Sequence, residues 1–267
     1  MKRDRQVDRL AWRWRQRFWD KMLFTHWITA LSAACFIAYS YLLEKRWTVS
    51  SLVVERKTLT KWNNIIVSFT HSILSSLGCL YCFYKDPALT SDIINKFSYT
   101  SYVMASFSLG YFIHDFIHAL RYQKISTAWE ILLHHTVVIL CFGLAVTTHK
   151  FVGYVIVALL CEINSIFLHG RMIMKLSGIS TESTLYRINS LINIGTYVLF
   201  RICTLTWMTR WLILNYKDIP QPANTFGVLG MASITIINIV LFARLLFKDC
   251  QFVESKTVDS LKSTKNM

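Results

Sequence analysis

Six histidines and three carboxylates fall in or at the ends of long apolar runs: His71, His114, His118, His134, His135 and His169, with Asp115, Glu130 and Glu162. An ionisable side chain at membrane depth is costly, so it marks a functional site by default. In "GYFIHDFIH" His114 and His118 stand four apart on one helical face, and Asp115 lies three before His118. In "WEILLHH" Glu130 precedes His134 by four, a spacing at which the two can pair. His135 points about 100° further round the helix, toward a different neighbour. In "CEINSIFLH" Glu162, Ser165 and His169 form one continuous stripe. A carboxylate that orients an imidazole is the equipment of general base catalysis, and histidine can itself be a nucleophile. Inside membrane helices such a site suits a substrate with a lipid tail and a polar head, and acyl transfer is the natural reaction class. Which of these histidines and acids would carry that chemistry the spacing alone leaves open.

These groups ride on helices. Apolar runs of about 20 residues, each able to cross a ~30 Å hydrocarbon core, recur along nearly the whole chain. Seven are expected, at about 22–43, 62–84, 98–120, 130–148, 151–171, 190–214 and 226–247. Without water to satisfy the backbone such runs must be helical, so the fold class is an all-α integral membrane bundle. The second span adds the stripe Asn64, Ser68, His71, Ser75, and the sixth, "RINSLINIGTYVLFR", sets Asn189, Asn193, Tyr197 and Arg201 at steps of four. Such stripes often only join helices, at roughly 0.6 kcal/mol per contact. Acids and histidines on three successive spans exceed what packing requires. His114, His118, Glu130, His169, Asn193 and Arg201 complete the candidate lining of a substrate cavity.

Charge and composition exclude several other classes. The chain is 54% hydrophobic and 16% charged, against about a quarter charged in soluble domains. The net charge of +14 sits at helix ends and termini, where lysine and arginine meet headgroups, so no nucleic-acid partner is expected. Arginines interleave with Trp12, Trp14 and Trp19 in residues 1–21, as in an interfacial amphipathic segment. The loops on the C-terminal face carry most of the basic residues, which favours a cytosolic C-terminus, although the basic N-terminus votes the other way. The seven cysteines suggest no disulfide framework, and no metal site is expected. His114-x-x-x-His118 has the spacing of one histidine box, but a di-iron desaturase or hydroxylase needs more ligands than remain. An ion path would need only the acids, and no broken helix or internal repeat supports it.

"GYFIHDF", "WEILLHH" and "ALLCEINSIFLHGRMIMKL", in that order and spacing, resemble the TLC-domain family, named for TRAM, Lag and CLN. The resemblance divides the chain into residues 1–21, a first helix and loop over 22–58, a TLC domain over 59–250 and a polar tail over 251–267. "EINSIFLH" followed by "YRINSLINIGTYVLFR" is most similar to the subgroup of TLC domain-containing proteins one and two. That likeness implies control of membrane phospholipid acyl composition, limiting polyunsaturated chains and preserving fluidity. Phospholipids or acyl chains would be the partners and the plasma membrane the favoured location, with the endoplasmic reticulum as the alternative. The family also holds the ceramide synthases, whose likeness implies an acyl-CoA-dependent acyltransferase with acyl-CoA as co-substrate and no other cofactor. Their His-His pair falls on His134 and His135, so the likeness implies the candidate catalytic residues: His134 or His135 as base or nucleophile, with Asp115 and Glu162 as orienting acids. Their His-Asp-x-x-Asp motif falls on Cys161, Glu162 and Ser165, where only the first acid is kept, as glutamate. Neither the residues nor the likeness indicates an oligomeric state.

Overall fold

In a computed structural model the described residues are 26–46, 56–221 and 223–265, with side chains described over 26–46, 58–221 and 223–247. The interfacial segment expected over 1–21 and the start of the first span lie outside them. The elements are α1 (His26–Arg46), α2 (Arg56–Lys85), α3 (Tyr99–Tyr122), α4 (Ile125–Thr148), α5 (Val152–Leu159), α6 (Cys161–Leu176), α7 (Thr184–Tyr197), α8 (Thr204–Leu214) and α9 (Ala223–Lys265). A π-helical turn over Val198–Cys203 joins α7 to α8, and the backbone of α9 stays helical through most of the expected C-terminal tail.

Among the described residues six helical segments are long and apolar enough to cross a membrane: α1, Thr58–Lys85, α4, Val152–Leu176, Thr184–Leu214 and Ala223–Phe247. They match six of the seven spans expected from the sequence, and α3 supplies the seventh. Its 24 residues make a helix of about 36 Å. Serines and ionisable residues lower its apolarity, because α1, α2 and α4 rather than lipid surround it. The chain is a multi-pass integral membrane protein with an all-helical bundle fold.

The helices form a ring in which α2 packs on α3, α3 on α4, α4 on α9, α9 on α8, and α6 on both α7 and α2. The short, wholly apolar α5 sits within that ring against α2, α3, α4 and α8, with Val152, Ile156 and Leu159 almost completely buried. α1 lies outside it on α2 and α3: Phe36 meets the rings of His71, Phe107 and Tyr111, and the Ser32 hydroxyl donates to the Phe107 carbonyl at 2.7 Å. Gly110 makes that approach possible, since its face of α3 touches the backbone of α1. The α4–α5 turn is short enough to hold His149 and Phe151 at φ 58° and 60°, a left-handed conformation uncommon outside glycine and an outlier for a bulky residue.

Candidate functional site

Between α4, α5, α6, α8, α9 and the π-turn lies a cavity of about 140 Å³. Its polar lining is concentrated at one end: His134 from α4, Cys161 and Glu162 from α6, Arg201 from the π-turn and Asn238 from α9. From there the walls become apolar, through Val138, Leu205, Met208 and Met231, and end against Phe151, Tyr154 and Trp211. The four helices that show both ends agree on this polarity. His134 precedes Phe142 on α4, Arg201 precedes Leu212 along α8, Gly227 precedes Asn238 on α9, and Phe151 precedes Glu162 through α5.

Beside the polar end, the His135 Nε2 lies 3.2 Å from Asp115 Oδ2, joining α4 to α3 in a buried pair. Among the described residues the other ring nitrogen of His135 has no hydrogen-bond partner. The two adjacent histidines thus divide as helix geometry requires, His134 to the cavity and His135 to the neighbouring helix. Their ring centroids are 5.5 Å apart. Glu162 is held from α2: the Ser72 hydroxyl donates to its Oε2 at 2.7 Å, and His71 Nδ1 stands 3.9 Å from the same oxygen. His71 is completely buried and stacked on Tyr111 at 3.7 Å, and among the described residues neither ring nitrogen has a hydrogen-bond partner.

Arg201 donates from Nη1 to Asn238 Oδ1 at 3.1 Å and from Nη2 to Ser165 Oγ at 2.8 Å. Its guanidinium also lies 5.3 Å from the centre of the Tyr197 ring, whose hydroxyl donates to the Asn238 carbonyl at 2.8 Å. In a regular α-helix each step of four overshoots a turn by about 40°. A π-turn takes up an extra residue, and such turns are frequent at functional sites. Here it keeps Tyr197, Arg201 and Leu205 directed to the same interior.

Several expected lining residues stand elsewhere. His114 and His118 occupy the face of α3 toward α1, His114 against Phe36 and His118 near Glu44, because they share the face of Gly110 rather than that of Asp115. The expected Glu130–His134 pair is replaced by a bidentate Glu130–Arg244 pair, at 2.7 and 2.8 Å, on the outer part of the α4–α9 seam. Asn193 joins helices: Asn164 Nδ2 lies 2.9 Å from its carbonyl and 3.0 Å from its Oδ1. His169 lies behind the cavity wall, within electrostatic reach of Asp115 and Arg201. Asn238 went unnoticed in the sequence although it is the lone asparagine in the run "ITIINIVLF". His71 was visible, but in a stripe that reads as helix glue.

Comparison with known proteins bears on the whole bundle. The TLC domain family has a model that matches residues 61–247. The zebrafish (Danio rerio) TLC domain-containing protein 2 is 47% identical over 210 residues, covering 79% of this chain and 84% of the relative. Human (Homo sapiens) TLC domain-containing protein 2 is 34% identical over 189 residues, 71% of each chain. Human TLC domain-containing protein 1 is 33% identical over 189 residues, 71% of this chain and 75% of the relative.

Proposed function

The chain belongs to the TLC-domain family of membrane proteins, and on that premise we propose that it holds a lipid acyl chain inside its bundle and so controls phospholipid acyl composition, limiting polyunsaturated chains. The observation that carries this reading is the cavity itself: an apolar passage at membrane depth, polar at one end only. Its form matches a lipid tail with a polar head; the tail exchanges one apolar surrounding for another on leaving the bilayer, so the polar end decides where the molecule sits. The reading places the C-terminal face in the cytosol, where the basic loops favour it, and the protein in the plasma membrane or, alternatively, the endoplasmic reticulum. The test is a phospholipid acyl profile of cells lacking the protein, rescued by wild type or by Gly227→Leu with Met208→Phe. Both substitutions add bulk to the cavity wall. Loss should raise the polyunsaturated fraction, wild type should restore it and the filled variant should not. Restoration by the filled variant at equal abundance would remove the cavity from the function.

A second reading, acyl transfer from acyl-CoA, rests on the His135–Asp115 pair beside a cavity-facing His134. In it the His134 imidazole takes the proton of an acceptor hydroxyl or amine as that group attacks the thioester carbonyl, and the CoA thiolate leaves. Asp115 fixes His135, and Glu162 stands across the cavity as the second acid. Purified protein given labelled acyl-CoA and candidate acceptors distinguishes the two: transfer abolished by His134→Ala favours catalysis, and absence of transfer in wild type removes it.

A further inference from the structure

Arginine keeps its charge under all physiological conditions. An uncompensated cation in the bilayer interior is costly and normally finds an anion. Among the described residues Arg201 forms no ion pair: its hydrogen bonds go to the neutral oxygens of Asn238 and Ser165, and Nε is buried without a partner. A guanidinium has five N–H donors, so this one has donors to spare. Glu162, the acid on the same lining, is engaged from α2 by Ser72 and His71. The site is therefore a cation without its anion, fixed by Tyr197, Asn238 and Ser165 at the mouth of an apolar passage.

The passage also has a length. From Arg201 to Leu212 on one side and from Asn238 back to Gly227 on the other is eleven residues. That is about 16 Å of helix. The lining runs over that span from Arg201 to the aromatic residues Phe151, Tyr154 and Trp211.

Resting on the chain-binding reading above, we infer that the cavity binds a fatty-acid carboxylate, its head on Arg201 and its chain directed toward Trp211. The test uses the full-length protein in phosphatidylcholine nanodiscs and a fatty acid with a diazirine near its methyl end. Irradiation should label the peptides that carry Phe151, Tyr154 or Trp211. Myristic acid should displace the label at concentrations at least about tenfold lower than 1-tetradecanol, the effect of a hydrogen bond to a charged group. Arg201→Gln should erase the difference between acid and alcohol while alcohol still competes, and Trp211→Ala should move the preferred chain to greater length. Should Arg201→Gln fail to fold, the acid–alcohol comparison in wild type decides by itself. Equal competition by acid and alcohol overturns the carboxylate site and leaves chain binding intact. No saturable label in these peptides overturns both.

Discussion

The carboxylate of Asp115 and the imidazole of His135 meet 3.2 Å apart between α3 and α4, each side chain about one-twentieth exposed. Removing one member leaves the other buried and uncompensated, which costs more than the pair contributes when intact. Asp115→Leu and His135→Leu are each expected to lose about 3 kcal/mol of stability, and the double variant less than the sum, because neither partner is then stranded. Thermal unfolding of the four proteins in one nanodisc composition measures this. Additive losses would mean that the two groups do not interact.

Glu130 and Arg244 give the opposite expectation from better geometry. Their contact is bidentate at 2.7 and 2.8 Å, yet the Arg244 side chain is 58% exposed. Exposed pairs contribute between zero and about 1 kcal/mol and weaken with salt. Glu130→Gln should therefore cost less than about 1 kcal/mol, and added salt should shrink the difference from wild type. A loss comparable to that of Asp115→Leu would show that this end of the α4–α9 seam is sealed from water.

Geometry along one helix was legible in the sequence, and geometry between helices was not. The spacing of "WEILLHH" implies that His134 and His135 face different neighbours, and they do. The same spacing offered Glu130 to His134, but Arg244, more than a hundred residues away, takes it. His114 and His118 share a face as their spacing requires, yet no one-helix argument can say that Gly110 turns this face toward α1. The sixth stripe divides: Asn193 joins α7 to α6, while Arg201, two steps further along, reaches the cavity across a π-turn. The third span was recognisable despite its polarity, since its serines and acid point to other helices.

The α6–α7 joint offers a test of that glue. Asn164 is fully buried, and its amide nitrogen lies 2.9 Å from the Asn193 carbonyl, 3.0 Å from Asn193 Oδ1 and 3.1 Å from Thr196 Oγ1. Interhelical hydrogen bonds in membranes average about 0.6 kcal/mol and reach about 1.7. Asn164→Ala, which also leaves a small void, should cost about 1 to 2 kcal/mol and leave fatty-acid competition at the cavity unchanged. Loss of that competition with little loss of stability would instead tie Asn164 to the site.

Gly110 bears on whether α1 is an integral part of the bundle. A Cβ at this position would stand 2.6 Å from the Thr29 carbonyl oxygen and from Ser32 Cβ, and 2.8 Å from the Ala33 nitrogen. Two of those three atoms are backbone, so a rotamer change cannot relieve the clash, and α1 itself must move away. That displacement would also break the Ser32 bond to the Phe107 carbonyl and loosen Phe36 from His71. Glycines at 143 and 195 are helical too, but a Cβ there meets nothing within 4 Å. Gly143→Ala and Gly195→Ala should be neutral or stabilising by up to about 1 kcal/mol through helix propensity alone. Gly110→Ala should gain the same propensity yet lose several kcal/mol net, the scale of overpacking against a rigid neighbour. Melting temperatures of the three variants, with protease sensitivity of the α1–α2 connection as a local readout, decide the matter. A neutral Gly110→Ala would mean that α1 is only loosely applied to α3.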